Sequence, residues 1–222
     1  MSGATPIRVA VLVSGRGSNL AALLEAIERG GLAAQVVGVF SDRPQAPALA
    51  RARAAGVATR ALRPGDFPDR LAFDQALFAG IAQVAPDLIV LAGFMRILDP
   101  RAFAPWLGRI INIHPSLLPK YPGLDTHRRA LQAGATEHGA SVHFVSAELD
   151  GGPVISRTSL AVRRDDTPES LAQRLLPLEH HLLVETVRLF AQHRIDGSDG
   201  DVRIDGRPID SPLNMHDNAW QR

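Results

Sequence analysis

Two polar side chains, Asn112 and His114, lie two residues apart at the end of the apolar run 109–114. Alternate residues of a β-strand point to the same face, so this spacing places both side chains together. Pro115 has no amide hydrogen to donate, so the strand is expected to end directly after His114. An amide can donate to a developing oxyanion and an imidazole can move a proton, the two tasks of acyl transfer. The sequence predicts either a catalytic pair or polar groups that only satisfy the local backbone.

An acidic residue that could complete such a site is Asp150, in the turn 148–152. The two glycines after it permit a tight backbone and close approach of a ligand. A carboxylate that reaches the imidazole would fix the ring and stabilise its protonated form. The chain has no cysteine, and Ser116 lies between two prolines without the Gly-x-Ser-x-Gly context of a serine nucleophile. We therefore predict direct transfer of an acyl group to an amine, without a covalent enzyme intermediate.

A second candidate site is the glycine-rich turn 14–19, which joins a first apolar strand to a helix. Free N–H groups at a helix N-terminus, together with the helix dipole, bind anions. A Walker loop would need a lysine here, and a dinucleotide fingerprint needs Gly or Ala where Leu20 stands. Asp42 does follow the second strand, where a nicotinamide enzyme has its ribose-binding acid. The turn favours a single phosphate of mononucleotide size, with a plain strand–helix turn as the alternative.

The elements that must position these residues alternate along the first half of the chain. Apolar runs at 7–13, 36–40, 57–62, 87–92 and 110–113 predict strands, with helical patterns between them. Such alternation is typical of a parallel sheet covered by helices on both faces. The carboxyl ends of the strands at one edge are where open α/β sheets bind ligands.

The alternation of predicted strands and helices changes in the second half of the chain. Two apolar runs, 141–145 and 153–158, are too close for a crossover helix and predict an antiparallel pair. A long helix follows, with Thr167 as its cap and Pro168 in its first turn. We predict an α/β fold of three αβα layers, Rossmann-like and mostly parallel, with this antiparallel pair in the C-terminal half. Residues 1–195 are expected to form a single domain, and 196–222 a loose tail with one short strand at 202–204.

Composition excludes several classes of partner. The chain has 222 residues, 45% of them hydrophobic, and a net charge of +1, which argues against nucleic acid or a membrane surface as a partner. No apolar run approaches the roughly 20 residues that span a bilayer. No basic and apolar leader is visible and cysteine is absent, so we expect a cytoplasmic protein. His180 and His181 point to different helix faces without a third ligand, so no metal is predicted.

The segment 112–123 resembles the folate-dependent formyltransferases. The segments 14–20 and 91–98 are similar to the branch of that family that formylates glycinamide ribonucleotide in purine biosynthesis. The similarity extends from about residue 7 to about residue 190. It implies the formyltransferase fold and transfer of a formyl group from 10-formyltetrahydrofolate, the co-substrate, to the glycinamide amine through a tetrahedral intermediate.

The resemblance also implies roles for individual residues. Asn112 would polarise the formyl oxygen, His114 would act as general acid and base, and Asp150 would raise the basicity of His114. The residues implied for the ribonucleotide, including its phosphate and ribose, are Gly17, Ser18, Asn19, Leu20, Ala21 and Glu179. The residues implied for the folate are Arg70, Met95, Arg96, Ile97, Leu98, Asn112, Val145, Ser146, Ala147, Glu148, Leu149 and Asp150. The segment 115–125 resembles the mobile active-site loop of the family, from which Asp125 departs.

Four other functions remain as alternatives. The first is another formyltransferase, for methionyl-tRNA or for an amino sugar; the tRNA enzyme would carry a further C-terminal domain, for which the residues after Ile195 are too few. A formyltetrahydrofolate hydrolase would carry an N-terminal regulatory domain, for which the residues before Ile7 leave no space. The third is a nucleotide sensor without catalysis, which an intact Asn112, His114 and Asp150 argue against. A nicotinamide dehydrogenase is disfavoured by Leu20. As partners we expect only small-molecule substrates, and a monomer or homodimer.

Overall fold

The protein is described by a computed structural model. The structure describes residues 5–197, 200–216 and 219–221. Within them the six α-helices are α1 (Ser18–Glu28), α2 (Pro47–Ala54), α3 (Arg70–Ala82), α4 (Pro100–Phe103), α5 (Thr126–Gln132) and α6 (Pro168–Gln192). The strands are β1 (Ile7–Val13), β2 (Ala34–Ser41), β3 (Thr59–Ala61), β4 (Leu88–Leu91), β5 (Ile110–His114), β6 (Glu137–Phe144), β7 (Val154–Ala161), β8 (Ile195–Asp196), β9 (Arg203–Ile204), β10 (Arg207–Pro208), β11 (Leu213–His216) and β12 (Ala219–Gln221).

Nine of these strands form one central sheet in the order β12-β11-β7-β6-β5-β4-β1-β2-β3. Strands β1 to β5 all run parallel to one another, whereas β6 is antiparallel to both β5 and β7. The predicted mostly parallel sheet with an antiparallel pair is therefore confirmed. The strand order reverses between β1 and β4, which opens a crevice beyond their carboxyl ends.

Alternation along β1 explains why the sheet is covered on both faces. Val9, Val11 and Val13 belong to one buried core, which includes apolar residues of α1 and α6. Ala10 and Leu12 belong to a second core with residues of α3 and α4. Strands buried on both sides read as continuous apolar runs, which is why the sequence pattern was clear here. The predicted three αβα layers are thus present.

Helix α6 is the longest element, with 25 residues. Its start is a reciprocal cap: the Ser170 amide donates to Thr167 Oγ1 at 3.2 Å, and the Thr167 amide donates to Ser170 Oγ at 2.9 Å. The predicted cap by Thr167, with Pro168 in the first turn, is confirmed. None of the helices in the described ranges is long and apolar enough to cross a membrane.

The region after residue 196 differs from the predicted loose tail. Strands β8, β9 and β10 form a small separate sheet, and β11 pairs in parallel with β7 as part of the central sheet. Arg157 Nε donates to Asn214 Oδ1 at 2.6 Å, and Met215 is 5% exposed. The short strand predicted at 202–204 corresponds to β9, whereas β8, β10, β11 and β12, of two to four residues, are too short to show a period of two and were not predicted. Residues 198, 199, 217, 218 and 222 of the predicted tail lie outside the described residues.

Candidate active site

The candidate site begins at the carboxyl end of β5. Ile111 and Ile113 are buried in the first core, and Asn112 and His114 therefore project from the opposite face of the strand. His114 is 6% exposed. The predicted placement of both polar side chains on one face follows directly from the pleat of the strand.

Asp150 reaches this pair from the turn between β6 and β7. Its Oδ2 lies 3.4 Å from His114 Nδ1 and accepts a hydrogen bond of 2.8 Å from the Gly123 amide. Asn112 Nδ2 contacts its Oδ1 at 3.4 Å. The turn can approach the sheet this closely because residue 152 is glycine: a Cβ on Gly152 would clash with the Phe144 carbonyl oxygen. Asn112 and His114 on β5 thus meet Asp150, which lies at least 36 positions further along the chain.

The charges of the acid and the imidazole are set by opposing effects. Burial alone would raise the pKa of Asp150, but hydrogen bonds from His143 and Gly123 and the charge of His114 bring it below its ordinary value. Burial lowers the pKa of His114, although the Tyr121 carbonyl and Asp150 both raise it. Asp150 raises the pKa of His114, which is the predicted direction, but the loss of water around the buried ring lowers this pKa by more. The pair rests as a carboxylate beside a neutral imidazole at neutral pH.

The proton position on His114 follows from its second contact. Nε2 lies 3.0 Å from the Tyr121 carbonyl oxygen, which can only accept, so Nε2 carries a hydrogen. In the neutral ring Nδ1 then has a lone pair that faces the Asp150 carboxylate. A proton taken up at Nδ1 would immediately gain an anionic partner, so this nitrogen is well placed to act as a base.

His143 is a functional candidate that the sequence prediction left out of the site. It is the cross-strand neighbour of Asn112 in the β5–β6 pair, and its Nε2 lies 3.1 Å from Asn112 Nδ2. Its Nδ1 donates to the Phe144 carbonyl at 2.9 Å, and its Nε2 also lies 3.5 Å from Asp150 Oδ1. The apolar residues that flank His143 in the sequence are equally typical of a structural position. The sequence alone does not show that His143 lies opposite Asn112 in the antiparallel pair of β5 and β6.

A cavity of about 510 Å³ opens beside these groups. Met95, Ile97, Leu124 and Leu149 lie along it and are at least half exposed, so the cavity has an apolar rim. Predicted folate-site residues that line it are Met95, Arg96, Ile97, Leu98, Asn112, Val145, Ser146, Ala147, Glu148, Leu149 and Asp150. Further lining residues that the sequence prediction did not include among the folate contacts are Leu91, Phe94, Phe103, Leu124, His127 and His143.

Arg70 differs from the other predicted folate residues. It does not line this cavity, and its guanidinium lies 3.6 Å from Asp99 Oδ2 with the side chain half exposed. Asp99 also pairs with Arg101 at 2.9 Å. Arg96, by contrast, lines the cavity with its guanidinium 4.8 Å from the centre of the Phe73 ring. The structure thus separates the two predicted arginines.

The glycine turn has the structure of an anion site. Gly17 is the N-cap of α1, with φ of 72° and no side chain capping the helix. A Cβ at this position would lie 2.5 Å from Ala48 Cβ, so glycine is required both for φ and for space. The amides of Ser18, Asn19 and Leu20 open the helix, where N–H groups have no partner within the helix. Ala21 differs, because its amide donates to the Gly17 carbonyl at 3.0 Å.

Glu179 faces the same turn from α6. It is 8% exposed and forms a side-chain hydrogen bond with Asn19. Burial raises its pKa to about 7, and the hydrogen bond from Asn19 opposes that shift only in part. The Oδ1 atom of Asn19 is buried without a partner. Asn19 on α1 and Glu179 on α6, both predicted for the ribonucleotide, are therefore in contact.

No group of three or more His, Cys, Asp or Glu residues within the described ranges is arranged to hold a metal ion. The chemistry available at the cluster is that of an amide, an imidazole and a carboxylate beside an apolar cavity, with an anion site on the same edge of the sheet. Together they define an α/β enzyme for acyl transfer to a substrate that carries an anion.

Comparison with known proteins gives the family. The chain belongs to the formyl transferase family, whose sequence model matches residues 7–187. The known reaction of this family is formyl transfer from 10-formyltetrahydrofolate, so the protein is a formyl-transferring enzyme and the predicted resemblance is confirmed.

Individual relatives agree with this assignment. The chain is similar to the phosphoribosylglycinamide formyltransferase of Escherichia coli, at 45% identity over 203 residues, 91% of this chain and 96% of that protein. It is similar to part of the trifunctional purine biosynthetic protein adenosine-3 of Drosophila melanogaster, at 45% identity over 175 residues, 78% of this chain and 13% of that protein. The structure of a phosphoribosylglycinamide formyltransferase from Coxiella burnetii matches with a TM-score of 0.88 at 46% identity, covering 92% of this chain and 96% of that one.

Proposed function

We propose that the enzyme transfers the formyl group of 10-formyltetrahydrofolate to the amine of 5'-phosphoribosylglycinamide. The reaction is a direct acyl transfer through a tetrahedral intermediate, a step of purine biosynthesis in the cytoplasm. The observation that carries this proposal is the meeting of Asn112, His114 and Asp150 within 3.4 Å contacts at the cavity. The names of the relatives at 45% identity support the choice of the acceptor.

The absence of an enzyme-bound intermediate in this proposal has a structural basis. Ser116 is the hydroxyl nearest in sequence to His114, and its Oγ donates to the Lys120 carbonyl at 2.6 Å. It is fully buried. A serine nucleophile needs an exposed Oγ next to a general base, and Ser116 has neither. The substrate amine itself is therefore the nucleophile.

In the first step the amine lone pair attacks the formyl carbon and the carbonyl electrons move to the oxygen. Asn112 Nδ2 donates to this oxyanion. Its contact with Asp150 Oδ1, at 3.4 Å, is long and is the one that gives way, while the 3.1 Å contact with His143 holds the amide. The ammonium proton passes to His114 Nδ1, where the Asp150 carboxylate stabilises the imidazolium.

In the second step the intermediate collapses. The oxyanion re-forms the carbonyl, the bond from carbon to N10 of the folate breaks, and His114 returns its proton to N10. The products are the N-formylated ribonucleotide and tetrahydrofolate, and the site regains its starting charge. The same imidazole thus serves first as a base, in its neutral form, and then as an acid.

The two substrates occupy neighbouring regions. The folate lies in the cavity against Leu98 and Val145, with Arg96 toward its anionic end. The phosphate of the ribonucleotide lies on the free amides of Ser18 and its neighbours in α1, and Glu179 contacts the ribose. The enzyme works as a monomer or homodimer on these small molecules, without nucleic acid or membrane.

The deciding experiment is a spectrophotometric assay with 10-formyl-5,8-dideazafolate and glycinamide ribonucleotide. We expect deformylated dideazafolate to form only when the ribonucleotide is present. Formation with water alone would indicate a hydrolase, and formation only with an amino sugar or methionyl-tRNA would indicate another formyltransferase. Either result contradicts the proposal.

A further inference from the structure

The side chain of Ser14 connects two loops that carry different substrate residues. Its Oγ accepts a hydrogen bond of 2.9 Å from the Met95 amide, in the segment 93–98 that lines the cavity. Its own amide donates to the Gly93 carbonyl at 3.1 Å. Ser14 is 2% exposed and is the first residue after β1, three positions before Gly17. It is thus a buried contact between the phosphate turn and the folate-binding segment.

Asp42 fixes the direction of this contact. Ser14 Oγ donates to Asp42 Oδ1 at 2.6 Å, a short bond to a carboxyl that is 7% exposed. A hydroxyl that donates to Asp42 turns its lone pairs toward the Met95 amide. Asp42 directly follows β2 and its other oxygen lies 3.9 Å from Arg43. The acid that follows the second strand therefore orients a side chain of the protein, rather than a dinucleotide ribose.

We propose that Ser14, oriented by Asp42, is a positioning residue that couples the ribonucleotide site to the folate site, so that each substrate strengthens binding of the other. This inference rests on the proposed function, because it assigns one substrate to each loop. Neither residue touches the reacting atoms. Their role is to transmit order between the turn after β1 and the segment after β4.

The physical basis is the ordering of two loops by one hydrogen-bonded residue. A phosphate on the amides of Ser18 and its neighbours restrains the turn that begins at Ser14. Because Ser14 bonds to both Gly93 and Met95, the cavity segment is restrained as well. The folate that binds second then loses less conformational entropy. Linkage requires the effect to be equal in the other direction, so folate must strengthen ribonucleotide binding by the same factor.

The experiment measures this factor in a complex that cannot react. Dissociation constants of 5,8-dideazafolate, the deformylated analogue, are measured by calorimetry without and with saturating glycinamide ribonucleotide, and then with the order of ligands reversed. For each ligand, the ratio is the dissociation constant without the other ligand divided by that with it. In the native enzyme we expect this ratio to be about fivefold or more for both ligands. In Ser14→Ala, which keeps only the main-chain bond from residue 14 to Gly93, and in Asp42→Ala, the ratio should fall to about half of its native value or less. Asp42→Asn keeps an oxygen that accepts from Ser14 and should retain most of the ratio.

Ser156→Ala is the matched control for a loss of stability. Ser156 is also a buried serine, and its Oγ lies 2.6 Å from Thr186 Oγ1. This contact links β7 to α6. The variant Ser156→Ala should lower the unfolding temperature by about as much as Ser14→Ala and leave the ratio of dissociation constants unchanged. A purely structural role of Ser14 would give the same behaviour in both variants.

The outcomes separate the two proposals. An unchanged ratio in Ser14→Ala, or a ratio of one in the native enzyme, overturns the coupling while the formyl transfer stands. Failure of the native enzyme to bind either ligand overturns the proposed function, and the coupling with it. A fall of the ratio in Ser14→Ala and its retention in Asp42→Asn and Ser156→Ala support the coupling.

Discussion

The two ends of the proposed site, the cluster beyond β5 and the turn beyond β1, use different chemistry. The cluster consists of side chains: Asn112, His114, His143 and Asp150 contact one another within 3.5 Å. The turn relies on main-chain amides and on a glycine that no other residue can replace without strain. Moving protons requires groups that titrate, whereas holding a phosphate requires donors that do not. The cluster should therefore be sensitive to side-chain chemistry, and the turn to backbone geometry.

The largest effect is expected from His114→Ala. Removal of the group that accepts and returns the proton should lower kcat by about 10²–10⁴-fold, while the dissociation constants of both substrates change little. Stopped-flow and steady-state assays measure the first quantity and calorimetry the second. His193→Ala, at an exposed histidine paired with Asp205, is the control and should have native kcat. A native kcat in His114→Ala would exclude the proposed role.

Asp150→Asn should have the next largest effect, with kcat lower by about 10²-fold because the imidazolium loses its charge partner. The pH profile gives the sign. Asp150 raises the pKa of His114, so its neutralisation lowers that pKa further and moves the acidic limb of the kcat profile to lower pH. Asp150→Glu, which keeps the charge, is the comparison variant. An acidic limb that stays in place would contradict an electrostatic role of Asp150.

Glu179 is a titrating group on the phosphate side, and its titration affects the stability of the fold. Its pKa is about 7 in the folded protein against 4.5 for an ordinary carboxyl. Between these values the native state holds a proton that the unfolded chain has released, so stability falls as pH rises from 4.5 to 7 and then levels off. Glu179→Gln should remove up to about 3 kcal/mol of that decline. Urea unfolding at a series of pH values is the measurement. Parallel curves for the two proteins would show that Glu179 does not cause the decline.

The smallest effect is expected from Gly17→Ala, which sharpens the contrast between backbone and side chain. A left-handed φ and a Cβ 2.5 Å from Ala48 should displace the turn and raise KM for the ribonucleotide by about tenfold, with kcat nearly native. Gly30→Ala is a matched control, since φ there is 70° but no atom lies within 4 Å of the added Cβ. Equal effects of Gly17→Ala and Gly30→Ala on KM would contradict a role of the turn in binding the phosphate.

The parts of the fold that the sequence predicted are those with strong local signals. The period of two in β5 placed Asn112 and His114 on one face, and the buried runs predicted the parallel strands. The cap of α6 was visible as Thr167 and Pro168. These features depend on neighbouring residues, and local physical rules are enough to predict them.

Features that depend on long-range pairing were missed or were known only through family resemblance. His143 joined the site because β6 pairs antiparallel with β5, and β11 joined the sheet because β7 offered a free edge. No local pattern specifies which strands become neighbours. The contact of Asp150 with His114 was expected, but not the burial that keeps the imidazole neutral. Burial is a property of the assembled fold and has no signature in a few residues.

The pairing of β5 with β6 also limits how this protein can change by insertion or deletion. Asn112 lies opposite His143, and His114 lies opposite Ser141. The register of β6 against β7 shifts between Val142 and His143, a bulge that reorients the backbone at His143. One residue added to β5 would turn Asn112 and His114 toward the opposite face and bring Ile113 into their place. Within these two strands, a single change in length would therefore remove the face that carries the two polar side chains.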